Sequence, residues 1–412
     1  MQQFLCCRLP FFQNASGEKF SLMKILFVID TYYTNNNGTS ISAQLFATEL
    51  RKRGHEVRIL TANDAGENDE NLFSLRYFRM PIFQPLMNKH NFNFAKFWGR
   101  ETEETIHAAV EWADIVHCFL PFPLEGVTER YCEKVGKPCT AAAHLQAESL
   151  TANIRLHRVA WVNNLFYKLF GKILCNRVRH VHCPSQFMAD EVKSHGFTAK
   201  MHPISNGIQP VFIEAGKRHV AGHRTETYDE YKGKILIMMV GRLTREKQQA
   251  LIIKAVPYSK YADRIQLVFA GRGPMQESYE KLGKSLPLQP QFVYLKRDEL
   301  IQLLSQADLY VHAADMESEA ISCIEAFATG LVPVIANSPL SATKQFALDE
   351  RSLFKAGDAK DLARAIDYWL DNTEERLRME KVYQESAGKY NIDNSITLFE
   401  EMLQEEISEH SK

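Results

Sequence analysis

Two carboxylates in the second half of the chain have a spacing suited to binding a polyhydroxyl ligand. Glu317 and Glu325 stand eight positions apart in the segment 315–336, where a helical pattern is followed by Gly330 and a β-branched strand. We expect Glu317 on the loop before the helix and Glu325 in its first turn, with Gly330 as the C′ residue. Carboxylates placed in this way can face one cleft and accept hydrogen bonds from sugar hydroxyls. The alternative is an acidic helix N-terminus that only complements the helix dipole.

A second pattern predicts a binding site for a diphosphate. The unbroken apolar run 234–240 is typical of a buried parallel strand. Gly241, Arg242 and Lys247 follow it, ahead of a helical stretch. Backbone N–H groups, the helix dipole and the two cations can then converge on phosphate oxygens.

The order of these motifs resembles the retaining nucleotide-sugar glycosyltransferases of GT-B fold, family-4 type. A further strand followed by a glycine turn occurs at 264–274, and the resemblance extends over most of residues 23–395. The motifs that carry it are 241–243 with Lys247, 270–274, 307–311 and 317–330. The resemblance implies an α/β protein of GT-B fold, in which two Rossmann-like domains turn their parallel sheets toward a central cleft.

The resemblance also implies roles for individual residues. His144, just past a predicted strand at 138–143, and Glu317 would contact the transferred hexose; a histidine that only binds a loop carbonyl is the alternative for His144. Arg242 and Lys247 would neutralise the charge that develops on the leaving nucleoside diphosphate. These four are the predicted catalytic residues. The predicted substrate-binding residues are Gly38, Thr39, Gly241, Gly271, Gly273, Arg297, Ser318, Glu319, Ala320, Ile321 and Glu325.

The first-domain loop near Gly38 departs from the family pattern. The family usually has two adjacent glycines here, whereas this chain has one glycine after the three asparagines at 35–37. Asparagine tolerates the left-handed conformation better than most residues, so the turn can persist. Thr39 or Ser40 is expected to cap a helix at 41–53.

Neither a metal nor another cofactor is expected. No Asp-x-Asp pair stands at a strand end, and GT-B enzymes of this kind are generally metal-independent, so protein cations are expected to replace Mg²⁺. Glu325 would bind the ribose hydroxyls of UDP. No carboxylate stands out as a nucleophile. We therefore favour departure and attack on the same face of the sugar, with the leaving phosphate taking the acceptor proton.

Chain length predicts the domain organisation. At 412 residues the chain exceeds the size at which single cores usually divide. We predict an extension at 1–22 that is disordered or a start-site artefact, an acceptor-binding domain at 23–205 and a donor-binding domain at 206–390. A helix at 391–412 is expected to return to the first domain. The charged stretch 214–232 is predicted to be a linker.

Composition limits the possible binding partners and the cellular compartment of the protein. A formal net charge of −1 argues against a nucleic-acid partner. The eight cysteines show no metal-ligand spacing, which indicates reduced thiols in a cytosolic protein and no structural zinc. No run of 18 apolar residues is present to span a bilayer. His117, His180 and His182 are predicted to be structural.

Two basic stretches of the first domain, 71–100 and 149–189, contain no Asp or Glu and interleave cations with aromatic residues. Such a composition favours docking on an anionic membrane from the cytoplasmic side. A core-facing stripe with a solvated basic face is the alternative. The apolar stripe predicted in the second stretch consists of Leu165, Phe166, Phe170, Ile173 and Leu174, with Lys168 and Lys172 beside it.

The expected reaction is transfer of glucose or galactose from a UDP-sugar to a membrane lipid such as diacylglycerol or ceramide, giving an α-glycoside. Transfer to a soluble sugar or a polysaccharide precursor is the alternative within the same class. An NAD-dependent enzyme with paired Rossmann-like halves is the alternative from another class, but no G-x-G-x-x-G follows a strand. A non-enzymatic relative is disfavoured, because Arg242, Lys247, Glu317 and Glu325 are all present.

Overall fold

The computed structural model describes two α/β halves and a long C-terminal helix. The described residues are 11–13, 19–33, 38–63, 69–78, 93–152, 156, 159–220 and 228–411. The strands are β1 Phe11–Gln13, β2 Lys19–Ser21, β3 Lys24–Val28, β4 Glu56–Ala62, β5 Leu72–Leu75, β6 Tyr77–Phe78, β7 Phe94–Ala95, β8 Ile115–Cys118, β9 Cys139–Ala142, β10 His180–Cys183, β11 Lys200–Pro203, β12 Ile235–Val240, β13 Ile265–Ala270, β14 Gln291–Val293, β15 Leu309–His312, β16 Pro333–Asn337 and β17 Leu353–Lys355.

Helices alternate with most of these strands. They are α1 Gly38–Lys52, α2 Arg100–Trp112, α3 Pro123–Val135, α4 Ala147–Thr151, α5 Ala160–Phe170, α6 Gln186–Ser194, α7 Pro210–Val220, α8 Gln249–Ala255, α9 Gln276–Gly283, α10 Arg297–Leu304, α11 Ile321–Ala328, α12 Ala359–Asp371, α13 Thr373–Ser386 and α14 Ile392–His410. A π-helical turn, Gly171–Cys175, continues α5. Among the described helices, none combines the length and the apolar content that crossing a bilayer requires.

Thirteen of the described strands form two separate parallel sheets, and β1 with β2 and β6 with β7 form two short antiparallel pairs. The first has seven strands in the order β11-β10-β9-β8-β3-β4-β5, and the second has six in the order β14-β13-β12-β15-β16-β17. β12 and β13 pair in register from Ile235 opposite Ile265 to Val240 opposite Ala270. The two strands therefore end at the same level. This architecture confirms the expected α/β fold with two Rossmann-like domains.

Helix α1 begins three residues earlier than expected. It starts at Gly38 rather than at 41, and Thr39 and Ser40 lie inside the helix, so neither acts as its cap. The Ser40 hydroxyl instead donates to the carbonyl of Thr31 at 2.6 Å. This bond fixes the start of the helix against the end of β3. The asparagines at 35–37 lie outside the described residues, and the predicted turn there stays a prediction.

The expected linker at 214–232 is wrong in its first part, because residues up to 220 belong to helix α7. Phe212 and Ile213 on this helix are buried, whereas its charged residues lie on the exposed face. A Cβ atom at Gly216 would lie 1.8 Å from the carbonyl oxygen of Ala328, so α7 packs directly against α11. The charges that suggested a linker belong to the solvent face of a packed helix.

The long helix α14 completes the core of the first domain. Ile396, Phe399 and Leu403 are fully buried. The Phe399 ring makes edge contacts with Phe46, at 5.1 Å between centroids, and with Phe27, at 6.1 Å. The C-terminal segment therefore packs on the domain that the chain builds first.

The predicted apolar stripe on α5 and the π-helical turn after it divides into core-facing and exposed residues. Phe170 and Leu174 are buried in the first-domain core, and Phe166 and Ile173 pack against it. For these four residues the core-facing alternative is correct, because the helix turns them toward the sheet. Leu165 points the other way and is exposed. Residues 79–92 of the other basic stretch lie outside the described part of the chain.

Candidate active site

A cleft of about 1040 Å³ lies between helix α1 and the strand ends of the second sheet. From the first domain it is lined by residues of α1 between Ile41 and Lys52. From the second domain it collects four residues singled out in the sequence. They are Gly271, Arg297, Ile321 and Glu325.

The glycine turns after β12 and β13 stack on each other. A Cβ atom at Gly271 would lie 2.1 Å from the carbonyl oxygen of Gly241, and one at Gly273 would lie 2.3 Å from that of Leu243. The amide of Gly241 donates to the carbonyl of Ala270 at 2.9 Å. Glycine is therefore required at 271 and 273 by the contact between the two loops, independently of any ligand.

A charged network is assembled where β15 ends. The Glu317 carboxylate is ion-paired with the Lys247 ammonium and lies 3.1 Å from His312 Nε2. Burial alone would raise the pKa of Glu317, but the Lys247 charge and the His312 hydrogen bond outweigh it and lower that pKa to about 2. The carboxylate is therefore ionised and held in one orientation.

His312 and Tyr310 support this network and were missed in the sequence. The Tyr310 hydroxyl lies 3.3 Å from His312 Nδ1 and 3.2 Å from the hydroxyl of Ser322. Both ring residues are fully buried on β15. Their position near the carboxyl end of a parallel strand, the usual ligand edge, was the available signal.

Glu325 lies in the second turn of α11, and its expected place in the first turn is wrong. The helix begins at Ile321, after Ala320 in a left-handed conformation with φ 80°. Gly330, with φ 94°, is the C′ residue as expected. Burial raises the pKa of Glu325 to about 7, partly offset by the Arg297 guanidinium. Because dipole effects fade beyond the first turn, the helix-dipole alternative does not explain Glu325.

The residues just before α11 bind protein groups. Ser318 accepts a hydrogen bond on its carbonyl from the Ser185 hydroxyl at 2.6 Å, which links the two domains. The buried carboxylate of Glu319 accepts from the Ser205 hydroxyl and from the amide and side chain of Asn206. Burial raises the pKa of Glu319 to about 7. Glu319 therefore anchors the connection between the domains, and its expected contact with substrate stays a prediction.

His144 lies two residues beyond β9, in the first domain, and is buried. Its ring stacks on Phe119 and meets the edge of His182 at 4.8 Å between centroids. Burial and the neighbouring His182 lower the pKa of His144 well below its usual value, so the ring is neutral. Among the described residues, no group forms a hydrogen bond with its Nε2 atom. The loop carbonyl offered as the alternative partner is therefore not found at Nε2.

The loop that carries His144 contacts the loop that carries Glu317. The Gln146 side chain donates to the carbonyl of Leu340 at 3.0 Å. The same carbonyl faces the amide of Glu317 at 3.4 Å. The structure thus joins the predicted catalytic residues of both domains through one shared backbone group.

The remaining predicted residues lie on loops and at a helix start. Arg242 is half-buried, and its carbonyl accepts from the Gln249 side chain at 2.8 Å. Helix α8 begins only at Gln249 and has seven residues, so the helix dipole expected at this diphosphate site is weak. Gly38 is exposed, with open space where a Cβ atom would stand.

Comparisons with known proteins agree with the fold. Residues 225–386 match the family described as Glycosyl transferases group 1, and residues 36–212 match Glycosyltransferase Family 4. The chain belongs to the GT-B glycosyltransferases of the family-4 type. It is a glycosyltransferase, as its motifs predicted.

The chain is similar to the following three proteins. It is 24% identical over 328 residues to the alpha-monoglucosyldiacylglycerol synthase of Streptococcus pneumoniae, covering 76% of this chain and 71% of that protein. The HepE protein of Anabaena, solved in complex with UDP-glucose, is 16% identical with a TM-score of 0.67, covering 94% of this chain and 100% of that one. The catalytic domain of the cholesterol-alpha-glucosyltransferase from Helicobacter pylori is 51% identical, covering 38% of this chain and 99% of that one, with a TM-score of 0.37.

Proposed function

We propose that this protein transfers a hexose from a UDP-sugar to a hydroxyl group of a membrane lipid, with retention of configuration at the anomeric carbon. One observation carries the proposal. A cation, a carboxylate and a histidine (Lys247, Glu317 and His312) form a partly buried network in the same domain that lines the cleft with Arg297 and Glu325. Such a set can bind a sugar and neutralise a departing diphosphate together.

In the proposed donor site, one carboxylate binds the ribose of UDP and another binds the hexose. Glu325 lines the cleft and would accept hydrogen bonds from the ribose hydroxyls of UDP. Arg297, at the first position of α10, lies close enough to affect the pKa of Glu325 and offers a counter-charge on the same wall. Glu317, fixed by Lys247 and His312, would accept hydrogen bonds from the hexose.

The chemical step needs no nucleophilic carboxylate. The bond between the anomeric carbon and the diphosphate oxygen breaks, and the acceptor oxygen bonds to the same face of the sugar. The leaving phosphate takes the acceptor proton. Lys247, already aligned by Glu317, and Arg242 stabilise the negative charge that grows on the diphosphate. Their charge acts where Mg²⁺ acts in other transferases, so we propose a metal-independent reaction.

The lipid acceptor is supported by a relative and by a surface. The Streptococcus pneumoniae relative is named as a glucosyldiacylglycerol synthase. Trp161, Leu165 and Leu169, spaced by four residues on α5, are 71%, 60% and 45% exposed. Lys168 and Lys172 are exposed beside them. An exposed apolar stripe flanked by cations suits insertion into an anionic membrane surface.

A donor and acceptor matrix tests the proposal. The purified protein is incubated with UDP-glucose, UDP-galactose or GDP-mannose, each with vesicles that contain diacylglycerol, ceramide or a sterol, or with free sugars. Nucleotide release and product mass are measured, and NMR assigns the anomeric configuration. We expect UDP release that requires a lipid and an α-linked product. Transfer only to free sugars would overturn the lipid acceptor, and a β-linked product would overturn retention.

A further inference from the structure

A cluster of nitrogen and oxygen ligands lies where the C-terminal helix crosses the first sheet. His180 is the first residue of β10, His202 lies on β11 and Glu405 lies on α14. The Nδ1 atom of His180 is 2.8 Å from His202 Nε2 and 3.9 Å from a carboxylate oxygen of Glu405. One ligand atom from each residue lies within 4.8 Å of the other two. None of the three lines the sugar-nucleotide cleft.

The orientation of His180 is set from its other side. Its Nε2 atom lies 3.1 Å from a carboxylate oxygen of Glu409, and the side chain is almost completely buried. A proton on Nε2, donated to Glu409, leaves the lone pair of Nδ1 directed at His202. A histidine that donates to a carboxylate through one nitrogen and binds a metal through the other is the usual arrangement in metalloproteins.

We propose that His180, His202 and Glu405 bind a divalent transition-metal ion of the zinc type, with water as a fourth ligand. Zn²⁺ binds histidine nitrogen at about 2.0–2.1 Å and carboxylate oxygen at about 2.0–2.2 Å, in tetrahedral geometry. Neighbouring ligand atoms are then about 3.3 Å apart. The two histidine nitrogens, now 2.8 Å apart, would open by roughly half an ångström, and Glu405 would approach His180 by a similar amount.

The ligand set selects the class of metal. Two imidazoles and one carboxylate suit Zn²⁺, Co²⁺ or Ni²⁺, whereas Mg²⁺ and Ca²⁺ prefer oxygen ligands alone. Glu405 also pairs with Lys200. The metal therefore competes with an exposed ammonium group for this carboxylate, which is a weak competitor at the surface.

The site would fasten α14 to the sheet of the first domain. Binding to the folded chain alone adds to the free energy of unfolding, by an amount that grows with metal concentration. Because the site lies outside the cleft, this role is separate from the proposed metal-independent transfer reaction. A metal bound here would raise thermal stability without entering the chemistry.

Spectroscopy of the full-length protein tests the proposal. Chelator-treated protein is titrated with Co²⁺, and Zn²⁺ affinity is measured by competition with a chromophoric chelator. We expect one equivalent of Co²⁺ to give the visible absorption of a four-coordinate site. His202→Phe and Glu405→Gln should each weaken Zn²⁺ binding at least tenfold, and Glu409→Gln, which touches the metal only through His180, by about 10–100-fold.

His195→Gln is the matched control. His195 also pairs with a glutamate, Glu191 at 3.2 Å, but among the described residues it belongs to no cluster with a second histidine. Circular dichroism verifies that each variant is folded, and His202 and Glu405 are used because both are only half-buried. Equal Zn²⁺ affinity in wild type and His202→Phe would overturn the proposal, as would the absence of stoichiometric binding. In either case the two histidines are a structural hydrogen-bonded pair.

Discussion

The two domains hold their predicted catalytic residues in opposite states of charge. In the second domain, Glu317 stays ionised because Lys247 and His312 hold it. In the first domain, burial keeps His144 neutral. In the proposed reaction, the charged residues of the second domain, here called the donor wall, bind the nucleotide-sugar, whereas the first domain offers an uncharged histidine ring. A nucleotide-sugar carries a diphosphate and needs fixed charges, but an acceptor hydroxyl does not.

Two carboxyl groups of the first domain are also shifted toward their uncharged form. Asp30, at the end of β3, and Glu125, in the first turn of α3, are both completely buried. Burial raises the pKa of Asp30 to about 7 and that of Glu125 well above its usual value, and each carboxyl acts on the other. Apart from a bond between Asp30 and the amide of Ala95, their oxygens have no hydrogen-bond partner outside the pair among the described residues. Burial therefore favours the protonated form of both carboxyl groups.

Removing a cation from the donor wall should have the largest effect. Lys247→Ala or Arg242→Ala should lower kcat by about 10²-fold or more, because the leaving diphosphate loses charge stabilisation in the transition state. Steady-state kinetics with the identified donor measures this. Arg245→Ala, an exposed cation on the same loop, is the control and should stay active. Normal turnover in folded Lys247→Ala would disprove the diphosphate assignment.

Substitution of Glu317 and Glu325 should distinguish the carboxylate needed for sugar transfer from the one needed for UDP binding. Glu317→Gln should lose most transfer while UDP still binds, because its partner Lys247 remains. Glu325→Gln should raise the Kd for UDP, since the ribose contact is weakened. Calorimetry and turnover measurements check both, with melting temperature as the folding control. Full activity in both variants would return Glu317 and Glu325 to a structural role.

Substitutions on the exposed face of α5 should change binding to lipid vesicles rather than binding to the nucleotide. Trp161→Ser with Leu165→Ser should reduce sedimentation with anionic vesicles severalfold, because an apolar contact is lost that salt does not screen. Lys168→Glu with Lys172→Glu should weaken binding in a salt-dependent way, since the Debye length falls from about 10 Å at 0.1 M to about 3 Å at 1 M. Equal binding to neutral and anionic vesicles would contradict the second expectation.

The raised pKa values of Asp30 and Glu125 should make stability depend on pH. The folded pKa values lie above those of the unfolded chain, so the stabilising contribution is complete at low pH and is lost as pH rises through about 7. Each such group then costs about 1.4 kcal/mol of unfolding free energy per pH unit. Denaturant melts from about pH 4 to 8, the range between the unfolded and folded pKa values of Asp30, measure this, and Glu125→Gln should flatten the decline. The same slope in the variant would show that Glu125 does not contribute to this pH dependence.

Chelation should have the smallest effect on catalysis. If Arg242 and Lys247 replace Mg²⁺, turnover should continue in excess EDTA. A decrease in melting temperature under the same conditions is expected, because EDTA removes a metal bound by His180, His202 and Glu405. Activity that disappears in EDTA and returns with Mg²⁺ or Mn²⁺ would show that the donor wall depends on a metal.

The sequence predicted the second domain better than the first, for physical reasons. The apolar run at 234–240 and the glycine turns leave strong local signals, and β12 begins within one residue of its expected start. Helix starts were less accurate, because the left-handed Ala320 and the bond from Ser40 to Thr31 are tertiary features. His312 escaped notice because a histidine in an apolar strand acquires its meaning only from Glu317 and Tyr310 beside it.

The packing of α14 affects the order in which the two domains can complete their folding. Phe399 and Leu403 fill the core against Phe27 and neighbouring residues of the first domain, although more than 350 positions of chain separate them. During synthesis, the core of the first domain therefore stays incomplete until α14, which follows the second domain in the chain, has been made. The second domain holds its own sheet and core between Ile208 and Ala387, and it can fold first. The part of the chain that emerges first is thus the last to be finished.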